Sequence, residues 1–291
     1  MQTGLPRAKA VMPDPMPGLD LVSIGEPLYE LNRQPDGGYL AGFGGDTLNA
    51  AIAAARLGAR CAYVSRLGAD IFGGELVELM RCEGIDVSGV TVDPDAPTGL
   101  YFVTHGPAGH AFTYRRKGSA ASLITPADLN PQQIRGARFL HASGISLAIS
   151  ETAAATVAEA IAIARGAGRQ VSFDTNFRPR LWPADKALPR IERAAAQADI
   201  LKTSVEDCAS LMRLDNPREI AARFLGLGAK AVIITLGGDG AVLAAGQRLE
   251  HVSGRRVAAV DATGAGDAFT GAMIAECLRG APLAEAVRFA N

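Results

Sequence analysis

Two kinds of apolar run alternate along most of this chain. Short blocks rich in Val, Ile and Leu read as buried strands. Longer Ala- and Leu-rich blocks, with apolar residues three and four apart, read as helices. The pattern predicts strands over 19–25, 62–66 and 87–92, and helices over 47–57 and 73–83. From 137 onward the rhythm is regular: strand 137–142, helix 151–166, strand 170–174, helix 184–196, strand 199–202. Helices over 205–213 and 217–226 and a strand over 230–235 continue it. A hairpin over 240–252, a strand over 256–260 and a helix over 268–278 complete the reading. Alternating strand and helix argues for an α/β, three-layer αβα fold around a mainly parallel central sheet.

Two early hairpins break that rhythm. One spans about 28–42 and turns at Pro35-Asp36-Gly37-Gly38; the other spans about 98–117 and turns at Gly106-Pro107-Ala108-Gly109. They are expected to form a small β-sheet lid on the main sheet. Leu100, Phe102, Val103 and Phe112 give it apolar surface but too little core to bury both faces. Pairing of lids across a two-fold axis is therefore expected, making a homodimer. Residues 1–18 are rich in Pro and Gly without periodicity and are expected to be a flexible tail before a single domain over 19–291.

The chemistry concentrates in Asp261-Ala262-Thr263-Gly264-Ala265-Gly266-Asp267, between a predicted strand and a predicted helix. Backbone N–H groups at such a helix start converge on an anion, and Gly264, Ala265 and Gly266 leave room for a phosphate to approach. Asp267 then falls in the first helical turn. A carboxylate there suits a base that takes a proton from a substrate hydroxyl while the amides hold the transferring phosphoryl group. Taken alone, such a carboxylate is more often a residue that merely favours the helix dipole. Ligands of parallel sheets bind at the carboxyl ends of strands. Polar residues gather at such ends: Asp46 and Asn49, Asp174 to Arg178, Thr203 to Glu206, and Asp267.

The segment Asp261 to Asp267 resembles the C-terminal signature of the ribokinase-like (PfkB) sugar kinases. Phe43-Gly44-Gly45-Asp46-Thr47-Leu48-Asn49, followed by an alanine-rich helix and Arg56-Leu57-Gly58, is similar to the family's N-terminal glycine motif. The similarity runs from about residue 21 to the end. No Walker A loop and no Rossmann fingerprint occurs. The resemblance implies a ribokinase-like fold and ATP-dependent phosphorylation of a sugar hydroxyl with Mg2+ and, in some members, K+. By it, Gly45, Asp46 and Asn49 bind sugar hydroxyls, Asp267 is the general base, and Gly264, Ala265 and Gly266 form the anion hole. Glu206 matches the glutamate linked to magnesium and phosphate, although Thr203 stands where the family has asparagine. Asn176, Thr203, Glu206 and the loop residues Thr235, Gly237 and Gly240 fall on the nucleotide side. Asp261 lies where a monovalent cation binds. The chain stops at Asn291, where family members usually continue with a segment that closes the adenine pocket; a shortened chain or weakened nucleotide binding is expected.

The substrate reading leans to a sugar acid. Strand alternation puts Tyr114 and Arg116 on one face of the lid, and Arg178 closes the Asp174-Thr175-Asn176-Phe177-Arg178 segment. Two guanidiniums near a sugar pocket suit a carboxylate. With Thr98-Gly99-Leu100-Tyr101 and Tyr114 to Ala121, the chain looks like the family's kinases of 2-keto-3-deoxygluconate, which implies substrate contacts from Tyr101, Tyr114, Arg116 and Arg178. The alternatives are a neutral sugar such as fructose, ribose or a deoxy-keto sugar, and a non-catalytic sugar-sensing homologue.

Composition narrows the partners. Of the 291 residues 48% are hydrophobic, ample for a large core, and the net charge of −1 gives no electrostatic case for nucleic acid or an anionic membrane. Cys61, Cys82, Cys208 and Cys277 form no C-x-x-C pair and read as thiols of a reducing compartment. His105 and His110 flank the second lid turn without ligand spacing. No signal-peptide core and no stretch of 18 apolar residues occurs, so a cytoplasmic location is expected.

Overall fold

The computed structural model describes residues 18–106, 109–255, 257–258 and 261–291, with the backbone alone at 110. The expected tail, apart from Gly18, lies outside these residues. The central sheet starts with β1 (Leu21–Ile24). The lid follows in two parts, β2 (Leu28–Arg33) with β3 (Tyr39–Gly44), and later β6 (Leu100–Gly106) with β7 (Gly109–Arg115). Between them run α1 (Asp46–Arg56), β4 (Cys61–Gly68), α2 (Ile71–Cys82) and β5 (Asp86–Asp93). Next come α3 (Pro131–Gly136), β8 (Phe139–Ser143), α4 (Gly144–Ala148), α5 (Glu151–Gly166) and β9 (Gln170–Asp174). The chain continues through α6 (Ala184–Ala195), β10 (Ile200–Ser204), α7 (Val205–Met212), α8 (Pro217–Leu227) and β11 (Ala231–Thr235). It closes with β12 (Gly240–Ala245), β13 (Arg248–Ser253), α9 (Ala265–Leu278) and α10 (Leu283–Ala290).

The main sheet has the order β13-β12-β11-β10-β9-β8-β1-β4-β5, parallel from β11 to β5 with an antiparallel hairpin at the far edge. Strand alternation divides the core. Val22, Leu140, Phe173 and Leu201 pack beneath α5, α6 and α8, whereas Leu21, Phe139, Ile200 and Ile233 pack beneath α1, α2, α9 and α10. Ser and Asp side chains start the helices: Asp70, Ser150 and Ser204 accept N–H bonds at the starts of α2, α5 and α7. Against α1, α9 comes unusually close, because Gly271 presents bare backbone: a Cβ there would lie 2.2 Å from the Ala50 carbonyl oxygen.

Three sequence expectations shift. The 118–136 region, to which the sequence pattern assigned no element, holds α3, started by Asn130 and Pro131, and α4 follows β8 directly. Of the strand expected over 256–260, residues 256, 259 and 260 lie outside the described residues, and 257–258 carry no regular element. Helix α9 starts three residues earlier than predicted, at Ala265.

The hairpins form a separate sheet of order β3-β2-β6-β7, with β2 and β6 parallel. Its apolar residues distribute differently from expectation. Val103 is buried with Leu28 and Tyr101, and Phe112 packs partly against them on the face turned to the site. Exposed apolar surface on this sheet includes Leu40, Tyr39 and Phe43, 62%, 52% and 39% exposed, with the Tyr39 ring edge-on to half-buried Phe102.

Candidate active site

The expected residues meet at the carboxyl ends of the parallel strands, near the N-termini of α1 and α9. Gly45 opens α1 at φ 118°, and a Cβ there would lie 2.6 Å from the Glu26 carbonyl oxygen, so both conformation and space demand glycine. That turn aims the first residues of α1 across the sheet edge. Asn49 donates from Nδ2 to the Asp267 carboxylate at 2.9 Å, and Asn176 donates to Asp46 at 2.8 Å. Asn176 itself takes a left-handed backbone, φ 33°, its N–H bonded to Asp174. It therefore sits on the Asp46 side, against the expected sugar-binding segment.

Gly264 starts α9 with φ 75°, a left-handed turn that frees the helix start. The Ala265 N–H bonds to the Ala262 carbonyl, and the Ala268 N–H to Gly264. Among the described residues this leaves the amides of Gly266 and Asp267 as the available donors of the first turn. The Asp267 carboxyl is pushed up to about 7 by burial first and then by the Asp46 and Asp174 carboxylates, while Asn49 and Lys202 pull the other way. A carboxyl poised near neutrality beside unclaimed amides is suited to accept a proton from a bound hydroxyl.

Beneath this turn lies a polar layer in which the sequence reading points to Asp174 but not to Lys202, His141 or Ser172. Lys202 Nζ contacts Asp174 Oδ2 at 2.7 Å, both buried. Burial works against the Lys202 charge, but Asp174, with Asp267 and Asp207, more than restores it and raises its pKa. Buried His141 lies 3.2 Å from the Ser172 hydroxyl, and burial lowers its pKa. Asp207, not Glu206, is the inward carboxylate of α7: it accepts from the Phe177 N–H at 3.0 Å and the Thr175 hydroxyl at 3.1 Å. Glu206 is exposed. The signal for Lys202 was present, a lysine within an otherwise apolar and Thr/Ser strand.

Thr203 and Thr235, expected on the nucleotide side, occupy the ends of β10 and β11. The Thr203 hydroxyl is 2.7 Å from that of Thr175, and the Thr235 hydroxyl reaches the Thr203 carbonyl at 3.2 Å. Gly237 and Gly240 bound the single turn between β11 and β12. Asp261 accepts from the Thr263 N–H at 2.8 Å. Among the described residues no three acidic, His or Cys side chains gather as a metal cage.

At the lid, Arg116 lies over the Tyr114 ring, 5.6 Å from its centroid, and Tyr101 stacks beside Tyr114 at 5.6 Å. The Tyr101 hydroxyl bonds to Glu30. Arg116 is ion-paired with Glu26, which is fully buried and also accepts from Ser119 at 2.6 Å. Burial raises the Glu26 pKa despite the Arg116 charge. Arg178 lies 3.6 Å from Asp207. Each guanidinium thus has a carboxylate nearby within the protein, and neither depends on a substrate acid for an anionic partner.

A buried carboxylate beside open helix-start amides at the ends of parallel strands is the arrangement that a phosphoryl-transfer site requires. The pfkB family carbohydrate kinase model matches residues 19–291, and the chain belongs to that family. It is 38% identical over 273 residues to the 2-dehydro-3-deoxygluconokinase of Thermoproteus tenax, covering 90% of this chain and 83% of that one. It is 37% identical over 258 residues to Fructokinase-1 of Oryza sativa subsp. japonica, covering 85% and 80%. The Salmonella enterica aminoimidazole riboside kinase, solved with aminoimidazole riboside and an ATP analog, superposes with a TM-score of 0.84 at 31% identity, covering 94% and 91%. No helix among the described residues is long and apolar enough to cross a membrane.

Proposed function

We propose that the protein transfers the γ-phosphoryl group of ATP to the terminal hydroxyl of 2-keto-3-deoxygluconate (2-dehydro-3-deoxygluconate), giving the 6-phosphate. The observation that carries the reaction is Asp267, its carboxyl near 7, in the first turn of α9 beside the open amide of Gly266. Asp267 takes the hydroxyl proton as the oxygen attacks the γ-phosphorus, the bond from that phosphorus to the β,γ-bridging oxygen breaks and ADP leaves, while the amides of Gly266 and Asp267 hold the charge spread over the phosphoryl oxygens. Asp46 and Asn49 orient the sugar hydroxyls, and Gly45 lets the chain pass close beneath them. ATP lies toward Thr203, Thr235, Gly237 and Gly240. Magnesium arrives on the ATP phosphates, and Glu206 is the carboxylate nearest that role in sequence. Asp261 is the candidate for a potassium ligand.

The sugar-acid reading draws on the Thermoproteus relative and on Arg116. Its Nε is buried without a hydrogen-bond partner although the group is paired with Glu26. That Nε is closed off from solvent, so a substrate carboxylate would meet the accessible edge of the guanidinium, where a charge-assisted bond contributes about 1.5–3 kcal/mol. The Glu26 pair favours a second reading, a neutral ketose such as fructose, because the pocket is already neutralised without an acid. A panel of 2-keto-3-deoxygluconate, fructose and ribose, assayed for ATP consumption with wild type and Arg116→Ala, separates them. Preference for the acid, with kcat/KM for it hit hardest by Arg116→Ala, supports the first reading; preference for fructose with indifference to Arg116→Ala leaves only the second.

A further inference from the structure

We propose that Lys202 is a positioning residue for the transfer step, its ammonium supplying a fixed positive charge directly beneath the first turn of α9 and beside Asp267. The inference rests on the kinase reading above. Its basis is geometric. The parallel register of β9 and β10 sets Lys202 opposite Asp174, and the pair closes at 2.7 Å. Alternation along β10 places Leu201 in the core under α5 and α6, and turns Lys202 with Ile200 toward α1 and α9. A Cβ built on Gly266 would lie 2.9 Å from Lys202 Nζ, so the ammonium reaches the underside of the turn that carries the open amides.

A purely structural pair is a poor explanation at this position. Two buried charges cost several kcal/mol to desolvate, and apolar residues of similar size would fill the strand at least as well. The surroundings supply a better reason. Asp267 is faced by Asp46 and Asn49 from α1, by Asp174 from β9 and by Lys202 from β10; Asp207 from α7 and His141 from β8 lie in the same field. The reaction brings polyphosphate charge into this acidic cluster. Lys202 offsets it from below, without occupying the face that substrate must approach. Asp174 fixes where that ammonium stands, and Gly266 leaves it room.

The test is Lys202→Met, with the pH profile of kcat/KM as the main readout and the 13C titration of the Asp267 carboxyl in the free protein as a second that needs no turnover. The account expects kcat to fall at least tenfold with sugar KM nearly unchanged. The acid limb and the carboxyl titration should both move to higher pH by about one unit, as for loss of a neighbouring opposite charge. If Lys202→Met does not accumulate as folded protein, Gly266→Ala takes its place. It sits in helix α9, where alanine is favoured, and its methyl displaces only the flexible end of Lys202. It should show the same displacement to higher pH. A limb and a carboxyl titration that stay at the wild-type pH overturn the proposal. A wild-type protein that turns over no sugar overturns the kinase reading instead.

Discussion

Gly271→Ala should damage the protein although alanine is the better helix former. At this α9 position a Cβ would lie 2.2 Å from the Ala50 carbonyl oxygen, 2.7 Å from the Ala53 Cβ and 3.0 Å from the Ala54 N, all on α1. An ordinary carbon–oxygen contact is near ~3.4 Å, so the two helices must part by about 1 Å, and none of the three obstacles on α1 is a flexible side chain. Overpacking of this kind costs about 1–3 kcal/mol, against an intrinsic gain near ~1 kcal/mol for replacing glycine in a helix. The functional penalty should be larger. The first turn of α1 carries Asp46 and Asn49, α9 carries Asp267, and the Asn49–Asp267 bond is 2.9 Å long. A displacement of about 1 Å between reacting groups costs on the order of 10²-fold in rate. Gly226→Ala in α8 is the control, because nothing lies within 4 Å of a Cβ there. Urea unfolding and kcat, measured on both variants, should show Gly271→Ala destabilised and slow, and Gly226→Ala active and slightly more stable. If Gly271→Ala matches Gly226→Ala in both, the close approach of the helices does not set the site.

Further outcomes follow from the same geometry. Because Asp267 acts as an anion and its carboxyl is held up to about 7, kcat/KM should rise through neutral pH and level off above it. Its folded pKa lies above the ordinary 3.8, so the folded state holds the proton more tightly and this group's cost to stability grows as pH rises from 3.8 toward 7. Asp267→Asn should consequently melt higher than wild type at pH 8, with the gain shrinking toward pH 4; an unchanged difference across that range would count against the burial of this charge. Light scattering at micromolar concentration should give a dimer, and Tyr39→Lys with Phe102→Lys on the outward lid face should give a monomer; a monomeric wild type refutes the lid pairing.

Much of the fold was legible because strand and helix periodicity repeat so regularly from β8 to β11. The 151–166 helix and the 170–174 strand match their expected limits. The hairpins stood out because their alternation interrupts that rhythm. The 118–136 region was missed because its elements are single turns, held by Ser119, Thr125 and Asn130 rather than by a long apolar face. At the site, the glycine motifs located the α1 and α9 starts because backbone conformation is written in glycine. The polar layer beneath was harder. Lys202, Glu26 and Asp207 act through partners 28 to 93 residues away in the chain, Asp174, Ser119 and Thr175. Short-range spacing carries no trace of such pairs. The same limit explains Arg116: its position on the Tyr114 face followed from alternation, but its pairing with Glu26 required the tertiary fold.

The central claim is tested most directly by ATP consumption with 2-keto-3-deoxygluconate, comparing wild type with Asp267→Asn. The account predicts turnover by the wild type and a loss of roughly 10²–10⁴-fold in kcat in the variant, with sugar binding retained by calorimetry. Wild-type turnover in Asp267→Asn, or no ATP consumption by the wild type with this acid or with any sugar of the panel, contradicts it.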